Sequence, residues 1–302
     1  METALIGPLL YARPDEGGFY MGSDRVFTRK SVPNGGLVAV QSDYGMGGAA
    51  SKIVGSILST SPSTTVYDVT SAIPKGDVAT ASCAMYSFFQ FFPVGSVCLS
   101  LVGEGRPCVV KTFQGRYIET PDNGTLTAWY SKFPFEEVRE VDLSGAPDGC
   151  IPLAWAAARL ASGKCSFEDM GPSYFAKDIV LIDAKPAKVG DGVVECGVFS
   201  LVRNFGNLNL SATYEEFEKS GIRFGDHVNV LMRRDGVEIF NEDMLYEHSF
   251  GFAKPGDPIL FNGSTGYMGL GLNLESFVSK YMPESMEDGF DLSRYEIAIR
   301  RI

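Results

Sequence analysis

Leu37-Val38-Ala39-Val40-Gln41-Ser42-Asp43-Tyr44-Gly45-Met46-Gly47-Gly48-Ala49-Ala50-Ser51-Lys52-Ile53-Val54-Gly55 opens as a strand and closes as a helix. Its first four residues form a short apolar run of the kind that is buried in a sheet. The carboxylate of Asp43 then precedes three glycines, and a small-residue helical pattern follows. Open α/β sheets build ligand crevices in this way, with a strand that ends on a glycine-rich turn leading into a helix. Glycine permits close backbone approach, and a carboxylate accepts hydrogen bonds from ligand hydroxyls. The competing reading is a plain strand–turn–helix corner with Asp43 as the helix N-cap. A dinucleotide-binding reading is weak, because Gly45-x-Gly47-Gly48 lacks the fingerprint spacing and the acid precedes the glycines.

Further along, Thr65-Val66-Tyr67-Asp68-Val69 reads as a second strand. A helix is expected from about Asp77 to Phe92, with Val78, Ala81, Met85, Phe88 and Phe92 at helical spacing and its aromatics in the core. Pro93-Val94-Gly95 ends it, and Ser96 to Val102 forms a third apolar strand. Pro121-Asp122-Asn123-Gly124 reads as a structural turn that starts another helix, and Pro152 to Leu160 as an alanine-rich helix stopped at Gly163. This alternation predicts a mostly parallel sheet with helices on both faces. After a stretch rich in Gly, Pro, Lys and Asp the texture changes. Short alternating runs (Val193 to Val202, His227 to Met232, Val237 to Phe240, Tyr295 to Ile302) separated by glycine turns point to a smaller all-β barrel or sandwich. The expected division is an arm at 1–36, an α/β domain at 37–172, a linker at 173–191 and a β domain at 192–302.

The formal charge of −11 over 302 residues removes the basic footprint that nucleic-acid binding needs. No run approaches the roughly 20 apolar residues of a membrane span, and Leu5 to Leu10, interrupted by Gly7 and Pro8, is too short for a signal-peptide core. Six scattered cysteines without a Cys-x-x-Cys pair argue against a zinc site or a disulfide framework and for free thiols in a reducing, cytoplasmic setting. The only histidines, His227 and His248, are read as structural, which leaves little imidazole for a catalytic triad or a metal centre.

Seven motifs, in order, resemble the S-adenosylmethionine-dependent adenosyltransferases, the family of hydroxide adenosyltransferases, fluorinase and chlorinase. They are Gln41-Ser42-Asp43-Tyr44-Gly45 with Val54-Gly55, Tyr67 to Pro74, Phe91-Phe92-Pro93-Val94-Gly95-Ser96-Val97, Pro121-Asp122-Asn123-Gly124, Ala158-Arg159-Leu160-Ala161-Ser162-Gly163, Phe205-Gly206-Asn207-Leu208, and Gly263-Ser264-Thr265-Gly266-Tyr267-Met268. The resemblance runs from about residue 37 to the end of the chain. It implies a seven-stranded α/β domain joined to a β-barrel, a homotrimer, and a small-molecule nucleoside ligand held between subunits. S-adenosylmethionine enters as the substrate, without a metal.

By that resemblance Asp43, with Tyr44 beside it, grips the ribose hydroxyls, Phe205 and Asn207 line the adenine pocket, and Ser264 and Thr265 reach the purine or the amino-acid end. A nucleophile then attacks the ribose 5′ carbon and neutral methionine leaves, so catalysis rests on positioning and water exclusion. The family's Asp-Pro-Gly-Val-Gly loop is cut here to Gly103-Glu104-Gly105, its later histidine has no counterpart, and Arg203 replaces an acid that normally helps hold the methionine ammonium. Glu104 and Arg106 are therefore the candidates for orienting and activating water, the alternative being a solvated turn with a surface ion pair. At the level of function, the alternative is a nucleoside-binding protein of the same fold that has lost the chemistry.

Overall fold

The computed structural model describes residues 32, 35–286 and 290–302, so most of the expected N-terminal arm lies outside the described residues. Strand β1 (Leu37–Ser42) is buried along its whole length. It lies between β2 (Thr65–Thr70) and β3 (Val97–Leu101) and is parallel to both. Helix α1 (Gly48–Thr60) links β1 to β2, and α2 (Val78–Phe89) returns from β2 across to β3. The sheet continues through a hairpin of β4 (Arg106–Thr112) and β5 (Tyr117–Asp122). Helix α3 (Thr127–Tyr130), β6 (Phe135–Glu140), helix α4 (Pro152–Ala161) and β7 (Ser173–Tyr174) follow. The seven strands are ordered β2-β1-β3-β5-β4-β6-β7, with β5 parallel to β3 and β4 antiparallel to both its neighbours.

Side chains on a strand alternate between faces, and the sheet's two apolar layers follow from that. Val38, Val40, Leu99 and Val109 pack under α1 and α4. Ala39, Cys98, Val110 and Ile118 pack against α2 and α3. Helix α2 starts where the sequence places it because the Asp77 side chain accepts from the Thr80 N–H at 3.0 Å. Phe88, Phe89 and Phe92 join the core, but Phe91 stays 44% exposed. Two expectations are corrected. The N-cap of α1 is Gly47, not Asp43. Pro121 and Asp122 complete β5 rather than start a helix, because pairing with Pro107 and Arg106 on β4 overrides their turn preference, and α3 begins only at Thr127.

The second half is a closed barrel. The strands are β8 (Lys188–Gly190), β9 (Val193–Val202), β10 (Asn207–Thr213), β11 (His227–Arg234), β12 (Val237–Glu247), β13 (Pro258–Asn262), β14 (Tyr267–Leu272) and β15 (Tyr295–Arg301). Seven of them close as β10-β14-β13-β12-β11-β15-β9, with β9 pairing back to β10 and β8 appended to β9. Helix α5 (Tyr214–Glu218) is set by a capping box of Thr213 and Glu216, and α6 (Phe277–Tyr281) buries Phe277 and Val278 in the barrel core.

A buried polar chain ties the barrel to α2. Thr265 Oγ1 donates to Asn209 Oδ1 (3.0 Å), Asn209 Nδ2 to Ser200 Oγ (2.8 Å), and Ser200 Oγ to Cys83 Sγ (3.3 Å). Phe199 and Tyr267 stack beside it, 4.5 Å between centroids, within the apolar layer of α2 and α3.

One core residue breaks the apolar pattern. Glu119 on β5 pairs with Leu99 and Val109, so its side chain shares their face under α4. It is fully buried, and neither carboxyl oxygen has a hydrogen-bond partner among the described residues. Burial pushes its pKa well above the ordinary carboxyl range and keeps it neutral. The folded state therefore holds a proton that the unfolded chain releases above about pH 4.3, so this group's contribution to stability falls as pH rises from there. Glu119→Gln has no such slope. Urea unfolding at pH 5 and pH 8 should show the variant's stability relative to the natural chain improving at the higher pH. Equal differences at both pH values would contradict the neutral-acid assignment.

Candidate functional site

Strand β1 feeds α1 and β2 on one side of itself, whereas β2 feeds α2 and β3 on the other. The C-terminal ends of β1 and β3 thus border the point where the winding reverses, the position at which open α/β sheets hold ligands. Asp43 is the first residue past β1 at that point. Its Oδ2 accepts from the backbone N–H of Gly76 (2.8 Å), after β2, and of Gly103 (3.1 Å), after β3. Its own N–H donates to Leu101 O at 3.2 Å, and Gly45 N–H to Ser71 O at 2.9 Å. The carboxylate is held in one orientation by charge-assisted bonds, and Oδ1 has no hydrogen-bond partner among the described residues. One carboxylate oxygen has two lone pairs, enough for two vicinal hydroxyls.

Space surrounds this oxygen. A Cβ placed on Gly45, Gly47, Gly48 or Gly76 would meet nothing within 4 Å, and Gly45, Gly47 and Gly76 adopt positive φ. Tyr44 is 40% exposed beside the opening. Burial, and then the Asp43 charge, pushes its phenol pKa up, so it is a neutral donor. Helix α1 opens here with neither a side-chain cap nor an acidic residue in its first turn.

Glu104 sits exposed at the tip of the Gly103–Gly105 turn. Arg106 does not pair with it. Its Nη2 donates to Asp122 Oδ2 at 2.9 Å, and its guanidinium stacks on the Tyr174 ring at 3.9 Å. Asp122, almost wholly buried, also accepts from Tyr174 Oη (3.0 Å) and the Val180 N–H (2.8 Å), so it ties β4, β5 and the 173–191 segment together. The expected Glu104–Arg106 surface ion pair is therefore replaced by a buried junction. In the sheet order β3 and β5 separate β4 from β1, which puts Arg106 about 14 Å from the Asp43 strand at about 4.8 Å per strand.

The remaining candidates lie on the barrel. Phe205 is 67% exposed on the turn between β9 and β10. Asn207 is buried, yet its Oδ1 has no hydrogen-bond partner among the described residues. Thr265 belongs to the buried chain at the seam, and Ser264 is exposed beside it. Arg203 donates to Ser285 O at 2.8 Å and has its Nε 4.0 Å from Asp77 Oδ2. The structure thus gathers one group around Asp43 and another along β10. No hydrogen bond or ion pair among the described residues joins Asp43, Tyr44, Glu104 or Arg106 to Phe205, Asn207, Ser264 or Thr265. Sequence reasoning missed Gly76 and Gly103, whose N–H groups orient Asp43; Pro74-Lys75-Gly76-Asp77 carried only a helix-start signal. It also missed Asn209 and Ser200. Among the described residues no cluster of three His, Cys, Asp or Glu side chains comes together as a metal site would need, and no helix is long and apolar enough to cross a membrane.

Residues 38–171 match the model of the SAM hydroxide adenosyltransferase N-terminal domain. Over that domain the chain is similar to this family. The chain is 24% identical over 283 residues to a fluorinase of an Actinoplanes species, a match that covers 81% of this chain and 93% of the relative. It is 25% identical over 241 residues to the (R)-S-adenosyl-L-methionine hydrolase of Thermus thermophilus, covering 77% and 90%. Among solved structures, an uncharacterized conserved protein from Thermotoga maritima shares the fold with a TM-score of 0.71, at 23% identity over 87% of this chain and 100% of that one.

The Asp122 junction yields a stability prediction. Asp122→Ala leaves one guanidinium, one phenol and one backbone N–H without their acceptor. Chemical denaturation should report a loss of about 2–4 kcal/mol, allowing for the solvent-screened Arg106. A loss below about 0.5 kcal/mol would mean that the junction is ornamental.

Proposed function

We propose that the chain binds S-adenosylmethionine and cleaves it at the ribose 5′ carbon, with water as nucleophile, to give adenosine and L-methionine. The observation that carries the reading is the fixed Asp43 carboxylate, with Oδ1 open, at the winding reversal of the sheet. The kinship with a fluorinase and with S-adenosylmethionine hydrolases supports the substrate. In this reading Asp43 binds the ribose hydroxyls beside Tyr44. Phe205 stacks on the purine, Asn207 meets its polar edge, and Ser264 and Thr265 flank it from the barrel. In this reading the site is completed by the Asp43 group of one subunit and the barrel group of its neighbour in a homotrimer.

The sulfonium leaves as a neutral thioether, so departure needs no general acid. The protein must align water with the breaking bond and exclude competing solvent. Water, with a pKa near 15.7, also needs a polar group to orient it and take its proton. Glu104, at the loop tip between the Asp43 crevice and Arg106, is assigned that role, with Arg106 held behind it by Asp122 and Tyr174. Free cysteines, with burial pushing the Cys83 thiol up to about 12, support a cytoplasmic setting.

A second reading, nucleoside binding without chemistry, is favoured by the commitment of the Arg106 guanidinium to Asp122. Chromatography and mass analysis of the purified chain incubated with S-adenosylmethionine, with and without chloride and fluoride, separates the two. Adenosine plus methionine is the expected outcome, and a 5′-halo nucleoside would replace water by halide. Intact substrate with measurable adenosine binding would establish the second reading. Asp43→Ala should weaken adenosine binding at least 100-fold under both readings, and unchanged affinity in a titration would overturn the site itself. Glu104→Gln should slow turnover at least tenfold with little change in binding.

A further inference from the structure

On the opposite face of the sheet from α2, an open cavity of about 650 Å³ lies between α1 and α4. Three cations border it: Lys52 on α1, Arg159 on α4, and Lys164 just beyond α4. Asp148 is the one acid in its wall. That concentration stands out on a chain with a formal charge of −11. The Arg159 guanidinium lies over the Trp155 ring, 4.5 Å from its centroid, a contact that positions the group without using its N–H donors. Lys164 Nζ is held by Thr60 O at 2.5 Å, which fixes a second positive charge at the far end. Neither Lys52 nor Arg159 has an ion-pair partner among the described residues. The wall stays open at Gly55 and Gly149, where an added Cβ would meet nothing within 4 Å.

We propose that this groove binds a phosphorylated small molecule at a site separate from the Asp43 crevice. A guanidinium held over the Trp155 ring suits two oxygens of a phosphoryl group, and two ammonium groups complete its charge. With Asp148 counted, the cluster carries a formal +2, which matches a phosphate dianion. The cavity volume lies within the range that small-molecule sites occupy. The groove uses none of the residues assigned to S-adenosylmethionine, so its occupancy is independent of whether that reaction occurs.

Calorimetric titration of the full chain with inorganic phosphate and with pyrophosphate, at ionic strength held constant with chloride, tests the site. Saturable binding at one site per chain is expected, submillimolar for pyrophosphate. Arg159→Gln and Lys52→Gln should each weaken it at least fivefold, whereas Asp43→Ala should leave it unchanged. Lys52 is exposed on a helix surface, so its variant keeps the test decisive if loss of the Arg159–Trp155 stack unfolds the other. Non-saturating binding, equal affinity in the Lys52 variant, or loss of binding in Asp43→Ala would each overturn the proposal.

Discussion

One carboxylate oxygen holds together the loops that end three neighbouring strands. Asp43 Oδ2 accepts from Gly76 and from Gly103, and the loops after β1, β2 and β3 converge on it. The geometry depends on β1 lying between the other two in a parallel sheet, since only then do both loops reach the same atom. It also depends on backbone that side chains disfavour: Gly76 and Gly103 both adopt positive φ to turn their N–H groups inward. The carboxylate in turn satisfies backbone donors that would otherwise compete for water. Orientation of the candidate ligand group is therefore set by the sheet itself, and a rotamer change at Asp43 would cost two charge-assisted bonds.

Much of this frame was legible in the sequence because it is written in local signals. Apolar runs, helical spacing, the Asp77 start of α2 and the glycine turns of the barrel placed the elements. A strand, an acid and glycines in succession marked Asp43. What was not legible lies across long separations. Gly76 and Gly103 are 33 and 60 residues from Asp43, and nothing local to either reports a contact at that distance. The partner of Arg106 was hidden in the same way. Glu104 is its nearest acid along the chain, but the β4–β5 register puts Asp122 directly across from it. Asp122 itself sits in a run of turn-forming residues whose local preference the hairpin pairing overrides. Glu119 was illegible for a different reason: a carboxylate amid strand residues reads as a solvent-facing position until burial on both faces of the sheet is known.

The barrel docks through polar and apolar contacts together. Thr265, Asn209, Ser200 and Cys83 satisfy one another in sequence, and a chain of this kind fixes relative position because each bond fails if the surfaces slide. The Phe199–Tyr267 stack fills the adjacent space. That rigid docking uses the Thr265 end of the polar column along β10 and leaves the Asn207 end uncovered by partners of its own.

The uncovered groups share a chemistry. Among the described residues Asp43 Oδ1 is an acceptor without a donor, and so is Asn207 Oδ1, which is buried beside Gly271. A buried acceptor left unpaired costs about 1–3 kcal/mol, and a ligand donor at Asn207 would recover that cost. Exposed aromatic surface at Phe205 and Tyr44 flanks the two acceptors. The nucleoside proposed above would present hydroxyl donors on its sugar and amino donors on its base. The acceptors lie on different domains and no hydrogen bond among the described residues joins them, so a ligand that spans both, as proposed above, would place its sugar donors at Asp43 and its base donors at Asn207.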